Sequence, residues 1–459
     1  MSPGAAPGWR ITLSLSAVAL AVRGAFVHWA AFRFPVTGDG FFYDTFARRL
    51  ASGEGYTWAW PDGAVTAAAH YPAGYPGILA LFYALFGSAV GVAMYVNVAL
   101  GTVAVAASHR CALGFLSPSR AMVAALAVAL HPALVLYTPA VMTEGAALSL
   151  LLLAAAVGLG EGRANWRAIG AGVLMGAATL VRPQCVLLAP LLAACMLLGR
   201  PVARAPIARA AAVVGLCVLT CLPWTIRNCS QMHRCALVSV NGGWNLAIGE
   251  ASATGSWEPI VVPEACKTVW DEAEKDACFE REAKRAIAAH PLAWMAKAPK
   301  KLATTFDYFG AGPWYLHASN PSAFPDAAKE AWGALETVAS RALLACALAA
   351  FALTRGAARV PRAVAALGGA FAISPAGWVA YLLLAVVIAI DRKRSRFEAF
   401  AALLIASTAL THAVFFGAGR YGLVVAPFVA ILALRPPARG ANVSASMFDR
   451  RSPADALTR

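Results

Sequence analysis

Charge is what this sequence has least of. Only 13% of its 459 residues are Asp, Glu, Lys or Arg, against about a quarter in ordinary soluble domains. That scarcity excludes water as the solvent for most of the chain. Acidic residues are scarcer than basic ones, 23 against 38. The resulting +15 does not indicate nucleic acid, because Lys and Arg form no single face or tail and recur as short clusters between apolar runs. The apolar stretch from Ile11 to Phe32 lacks a small-x-small cleavage site and is too long for a secretory core, so it reads as a retained first helix. No cysteine spacing reads as a zinc site. Cys111, Cys185, Cys195, Cys217, Cys221 and Cys346 lie in or beside apolar runs and behave as small hydrophobes. Cys229, Cys235, Cys266 and Cys278 share one polar segment, where an even number permits disulfides in an oxidising compartment without deciding whether the Cys229/Cys235 or Cys266/Cys278 pair forms.

What is abundant is apolar sequence, 60% of the residues. Candidate spans are Ile11–Phe32, Ala89–Ala107, Ala121–Tyr137, Met142–Leu159, Ala168–Val181, Val186–Leu198 and Ile207–Ile226, then Ala342–Leu353, Val364–Ile390, Phe397–Phe416 and Leu423–Leu434. The expected fold is an all-α polytopic membrane protein of about twelve transmembrane helices, with interfacial helices in the first outer loop and a small soluble domain on the outer face. The expected organisation is an N-terminal transmembrane module over 1–226 with its first outer loop at 34–88, an extracytoplasmic domain over 227–337, a C-terminal transmembrane module over 338–434 and a disordered cytoplasmic tail over 435–459.

Basic clusters set the topology. Arg110 with Arg120, Arg163 with Arg167, Arg200 with Arg204 and Arg209, Arg355 with Arg359 and Arg362, the run Arg392-Lys-Arg-Ser-Arg396, and Arg435 with Arg439 fall on one side, which is the cytoplasm. That parity requires Val364–Ile390 to cross twice, broken at Ser374-Pro-Ala-Gly377, and requires Ile78–Phe86 not to span. In the first loop, Phe42, Phe46 and Leu50 share one face of a helix over Phe41–Leu50, which is expected to lie flat at the membrane surface.

Sorting the unusual polar residues by side gathers Asp39, Tyr43, Glu144, Arg182, Arg227, Asn228, His412, Arg420 and Tyr421 at the outer leaflet. Ionisable groups at membrane depth are costly and mark function by default. Each also has a plainer reading. Asp39 can cap the helix beginning near Phe41, Glu144 can be a first-turn acid favoured by the helix dipole, Arg182 can anchor topology before Pro183, and His412 can be a core histidine. Asp44 reads as solvated. Arg182, Arg227 and Arg420 sit where basic residues should be depleted, and a guanidinium suits a phosphate.

At these residues the chain resembles the GT-C glycosyltransferase superfamily, in particular the bacterial protein-mannosyltransferase and aminoarabinose-transferase-like group (glycosyltransferase family 39-like). The resemblance is carried by Asp39-x-x-x-Tyr43, Gly53-Glu-Gly-Tyr56, Tyr71-Pro-Ala-Gly-Tyr-Pro76, Leu180-Val-Arg-Pro183, Pro223-Trp-Thr-Ile-Arg-Asn228, Asn241-Gly-Gly-Trp-Asn-Leu246 and Gly419-Arg-Tyr421. It implies a multi-pass enzyme of the cytoplasmic membrane whose active site faces the periplasm. Such an enzyme transfers a sugar from a polyprenyl phosphate to a hydroxyl of a lipid, glycan or protein, with inversion. The implied roles are Asp39 as catalytic base, and Arg420, Arg182, Arg227, Tyr43, Glu144, Tyr421 and His412 as donor-phosphate or substrate ligands. Many relatives carry Asp-Glu where this chain has Asp39-Gly40, so no cofactor is expected and a divalent metal is not favoured. Partners are the lipid-linked sugar, its acceptor and membrane lipids, with no nucleic acid. The rival is a multi-pass transporter or a flippase of a lipid-linked glycan, but a transporter places polar groups at the midplane and shows two similar halves.

Overall fold

Apolar runs become helices, and Pro132 breaks one of them while Pro223 stays inside another. In a computed structural model, described for residues 6–160, 165–200, 203–354 and 358–436, five helices are long and apolar enough to cross a membrane: Gly8–Ala30, Val90–Leu113, Arg204–Gln231, Asp326–Ala352 and Arg396–Val414. Shorter helices fill the bundle between them, among them Thr143–Leu159, Asn165–Val181 and Leu188–Leu197. The protein is an all-α multi-pass membrane protein. Arg163, Arg355, Arg439 and the rest of the tail beyond 436 lie outside the described residues.

Val364–Ile390, expected to cross twice, is two helices, Arg359–Ala372 and Gly377–Ile390, packed on each other, with the Ser374 hydroxyl accepting the Ala376 N–H in the turn. Three expected spans depart in their bounds or regularity. Pro132 splits Ala121–Tyr137 into Pro118–Leu130 and Pro132–Leu136, because the residue before a proline, His131, leaves the helical region at ψ 119°. Pro183 opens a 3₁₀ turn, Pro183–Leu187, ahead of Leu188–Leu197. Leu423–Leu434 is regular only over Ala426–Leu432. Conversely, the span expected from Ala342 starts at Asp326, since Lys329, Glu330 and Glu336 hide its first turns from a hydropathy reading. This helix and Arg204–Gln231 run across both ends of the segment 227–337.

Close packing inside the bundle rests on small residues. Gly172 and Gly176 bring Asn165–Val181 against Arg204–Gln231, where a Cβ would lie 2.9 Å from the Val213 carbonyl oxygen and 2.8 Å from that of Cys217. At the arginine-rich end, loops are pinned by Arg120 donating to the Leu434 carbonyl (3.0 Å) and by Arg435, which pairs with Asp391 (2.6 Å) and Glu398 (2.8 Å). The Asp39 cluster lies at the other end. Beyond it, the segment carries a helix, Glu272–Ala289, capped by Asp271 accepting the Glu274 N–H at 2.9 Å. Disulfides join Cys229 to Cys235 and Cys266 to Cys278 in this segment.

Candidate functional site

The first loop forms one wall of the site. Gly38, at φ 57°, turns the chain so that a helix begins at Asp39 and runs to Ala51. Its apolar face does not lie open at a surface. Phe46 stacks on Tyr56 with centroids 4.4 Å apart and Phe42 on Tyr71 at 4.7 Å, so the loop's own aromatics cover it. Those partners come from a stretch containing an antiparallel hairpin, Thr57–Ala59 with Val65–Ala67, whose turn signal is Pro61-Asp62-Gly63. The second loop helix, Gly74–Phe86, rises about 20 Å, short of a bilayer core of about 30 Å. Asp44 is not solvated: it is buried, accepts the Tyr83 hydroxyl, and pairs with Arg48 at 2.7 Å. The face of the helix that looks polar in isolation packs against Gly74–Phe86.

Asp39 does not spend its carboxylate on capping its own helix. One oxygen accepts from Arg420 Nη2 at 2.9 Å and the other from the Tyr71 hydroxyl at 3.2 Å. Arg420 also lies 3.5 Å, through Nε, from Glu144 Oε1, and Arg182 Nη1 meets the same oxygen at 2.7 Å. Tyr137 donates to the second Glu144 oxygen at 2.9 Å, and Arg182 also donates to the Thr143 hydroxyl at 3.2 Å. Both guanidinium carbons sit over the Tyr421 ring, Arg182 at 4.9 Å and Arg420 at 5.2 Å. Two carboxylates and two arginines thus form one network from four separate parts of the chain. Exposure separates the carboxylates: the Asp39 side chain is 34% accessible and that of Glu144 only 2%.

The remaining expected residues fall around this network. Tyr43 is buried, edge-on to Tyr71 at 5.3 Å, and burial with the charges of Asp39 and Glu144 holds its phenol protonated far above its ordinary range. His412 stacks on Tyr421 at 4.2 Å with its Nδ1 2.9 Å from the Phe416 carbonyl oxygen, so it shapes the position of Tyr421 from behind. Arg227 stands apart, donating to the carbonyls of Ala68 (2.7 Å) and Tyr56 (2.8 Å), and its neighbour Asn228 donates to those of Ala236 and Val238. The pair staples the first loop to the segment after Gln231.

Three residues with a part in the site escaped sequence reasoning. Tyr71 stood inside a quoted motif, but nothing local showed that it would reach Asp39. Tyr137 gave no signal. Lys301 is fully buried, its ammonium donating to the carbonyls of Val414 (3.0 Å) and Ala413 (3.3 Å) at the end of Arg396–Val414. Burial lowers its pKa to about 8. The segment from Gly417 to Gly422, which carries Arg420, lies against the helix of Lys301, and a Cβ at Gly422 would sit 2.6 Å from the Thr305 carbonyl oxygen. Among the described residues no group of three His, Cys, Asp or Glu side chains could hold a metal ion.

Over 70–225 the chain matches the dolichyl-phosphate-mannose–protein mannosyltransferase family. That segment contains Tyr71, Glu144 and Arg182, and the match bears out the GT-C membrane glycosyltransferase resemblance read from the motifs. No curated protein matches the chain. Among solved structures, the archaeal oligosaccharyltransferase AglB from Archaeoglobus fulgidus, in complex with an inhibitory peptide and a dolichol-phosphate, is similar at 14% identity and a TM-score of 0.47, over 93% of this chain and 49% of that one. The chain therefore spans about half the length of that protein. ArnT from Cupriavidus metallidurans, bound to undecaprenyl phosphate, is similar at 16% identity and a TM-score of 0.43, over 93% of this chain and 78% of that one.

Proposed function

We propose that this protein transfers a sugar from a polyprenyl phosphate to an acceptor hydroxyl at the outer face of the cytoplasmic membrane, with Asp39 as the base. The observation that carries this reading is the accessible Asp39 carboxylate held directly against Arg420, beside a second arginine and a buried counter-charge. Attack of the acceptor oxygen on the anomeric carbon forms the new C–O bond as the bond to phosphate breaks. The electron pair leaves on the phosphate, and the hydroxyl proton passes to Asp39. A departing phosphate needs positive charge rather than a proton, so one carboxylate suffices where hydrolysis of a glycoside takes two. A single displacement inverts the anomeric centre.

The ion pair is the resting arrangement in this scheme. A donor phosphate competes with Asp39 for Arg420, and on binding it frees a carboxylate oxygen for the acceptor. Glu144, buried and bonded on both oxygens, positions Arg182 and Arg420. Arg227, committed to loop carbonyls, holds the wall in place. The family match adds weight to a lipid-linked sugar as donor.

The test is transfer by the purified chain in detergent from a panel of radiolabelled polyprenyl-phosphate sugars to membrane extract, wild type against Asp39→Asn. Donor-specific transfer that the folded variant lacks supports the assignment. Transfer at wild-type rate in the variant removes Asp39 from the role, and no transfer with any donor removes the activity.

A further inference from the structure

Lys301, on the helix Ala298–Phe306, is a buried charge that the transfer scheme leaves unused. Among the described residues no carboxylate lies within ion-pairing distance of it, since Glu250 faces Lys297 at 4.0 Å. Its ammonium is held instead by the end of Arg396–Val414, where it donates to the Val414 carbonyl at 3.0 Å and the Ala413 carbonyl at 3.3 Å, with the Trp294 ring 5.5 Å away. A helix end leaves such carbonyls without N–H partners, and a cation there also meets the negative end of the helix dipole. The missing partner is identifiable. The Gly417 N–H, which in a continued helix would reach Ala413, turns away to the Gly255 carbonyl at 2.8 Å. Lys301 takes its place where the chain leaves the helix for Arg420, six residues after Val414.

The chain that follows runs closely along the Lys301 helix and its exit. A Cβ at Gly417 would lie 2.1 Å from the Lys301 carbonyl oxygen, one at Gly419 2.5 Å from that of Tyr308, and one at Gly422 2.6 Å from that of Thr305. These glycines let backbone meet backbone, so the segment takes its place from this helix, and Arg420 lies between the last two of them. A buried ammonium that fixes where Arg396–Val414 ends therefore also fixes where the Arg420 side chain starts. We propose that Lys301 is a positioning residue for Arg420: by tying the last carbonyls of Arg396–Val414 it holds the following segment where the Arg420 guanidinium reaches Asp39 and Glu144. The consequence for catalysis rests on the transfer reading above, whereas the hold on the segment does not.

The experiment takes two readings on the purified full chain in detergent. The first is hydrogen exchange of peptides from 415–422, wild type against Lys301→Met, with Lys300→Met, which removes the neighbouring exposed lysine, as the control. Exchange there should rise about tenfold or more in Lys301→Met, as loss of charge-assisted bonds requires, while the helix Glu272–Ala289 keeps its wild-type protection and Lys300→Met matches wild type. The second is a double-mutant cycle on transfer from the donor that wild type accepts in the panel above, using Lys301→Met, Arg420→Lys and both together. Lys301→Met should lower kcat/KM per folded molecule about tenfold or more, the scale of a displaced catalytic contact. The double variant should fall within about twofold of Arg420→Lys alone, because both changes act through one guanidinium. Wild-type exchange at 415–422 in Lys301→Met, an unchanged kcat/KM, or losses that multiply in the double variant overturns the proposal. If wild type transfers from no donor, the transfer reading falls, and exchange alone decides for or against the hold of Lys301 on the segment. Should Lys301→Met not fold, Lys301→Gln, which keeps an N–H donor without the charge, takes its place under the same outcomes.

Discussion

Arg420 reaches Asp39 across 381 positions of sequence, its Nη2 2.9 Å from Oδ2. One guanidinium there serves Asp39 through Nη2 and Glu144 through Nε, a division that needs a planar fork. Arg420→Lys supplies a single point charge and can hold only one of the two. It should fold and lose about tenfold or more in kcat/KM for the lipid-linked donor. Asp39→Asn, by contrast, should lose about 10²–10⁴-fold in kcat, the range of a general base, with an unchanged thermal midpoint. A lysine variant as active as wild type would dissolve the argument for the fork.

The Glu144 pairing predicts stability rather than chemistry. Glu144→Gln leaves Arg182 and Arg420 close together without their shared buried counter-charge. Breaking a buried pair from one side costs about 3–5 kcal/mol, so thermal unfolding in detergent should shift down by far more than for any exposed acid. Glu264→Gln, whose pair with Lys267 is exposed, serves as the comparison and should be near neutral. Equal midpoints for the two variants would mean that the buried network contributes nothing.

Which residues would meet was partly legible in the sequence, and for a physical reason. Ionisable groups at the depleted side of a membrane protein are few, so Asp39, Glu144, Arg182 and Arg420 stood out by cost alone. Partner choice was not legible. Arg227 carried the same signal as Arg420, since both sit at a helix end on the same side. Only the folded first loop shows that Arg227 is occupied by the Ala68 and Tyr56 carbonyls. Asp44 was misread because a helix taken alone has a polar face wherever a carboxylate projects, whereas here the second loop helix covers that face with Tyr83. One span failed where proline intervened, at Pro132, because hydropathy counts apolar residues without asking for backbone donors.

Two glycines in the second loop helix give a paired prediction. A Cβ at Gly74 would lie 2.5 Å from the Leu180 carbonyl carbon and 2.6 Å from the Val181 nitrogen, both backbone, two residues and one before Arg182. Gly74→Ala must push the first loop off the end of Asn165–Val181, at a cost of about 1–3 kcal/mol, and should lower both the thermal midpoint and the transfer rate. Gly77, one turn on, faces open space. Gly77→Ala should be neutral or slightly stabilising, since alanine favours a helix by up to about 1 kcal/mol over glycine. Transfer that survives Gly74→Ala undiminished would show that the contact does not set the site.

His70 gives the first loop a pH-dependent contribution to stability. Its ring is packed against Tyr71 at 5.0 Å and Trp244 at 6.1 Å, and burial lowers its pKa from the usual 6.5 to about 4, the nearby Asp39 charge opposing only in part. Between those two values the unfolded chain binds a proton that the folded chain does not. Stability from His70 is therefore fully present above pH 6.5 and is lost as pH falls from 6.5 towards 4. Glu272 and Asp276, on the helix behind the loop, are raised by burial and work in the opposite sense over part of the same window, so the wild-type curve alone does not isolate the histidine. His70→Gln does. The difference in thermal midpoint between wild type and this variant should be constant above pH 6.5 and should change steadily between 6.5 and 4 as the wild type loses its advantage. A difference that stays flat across that window would mean that His70 takes up its proton equally in both states and that the loop's burial of the ring has no effect on titration.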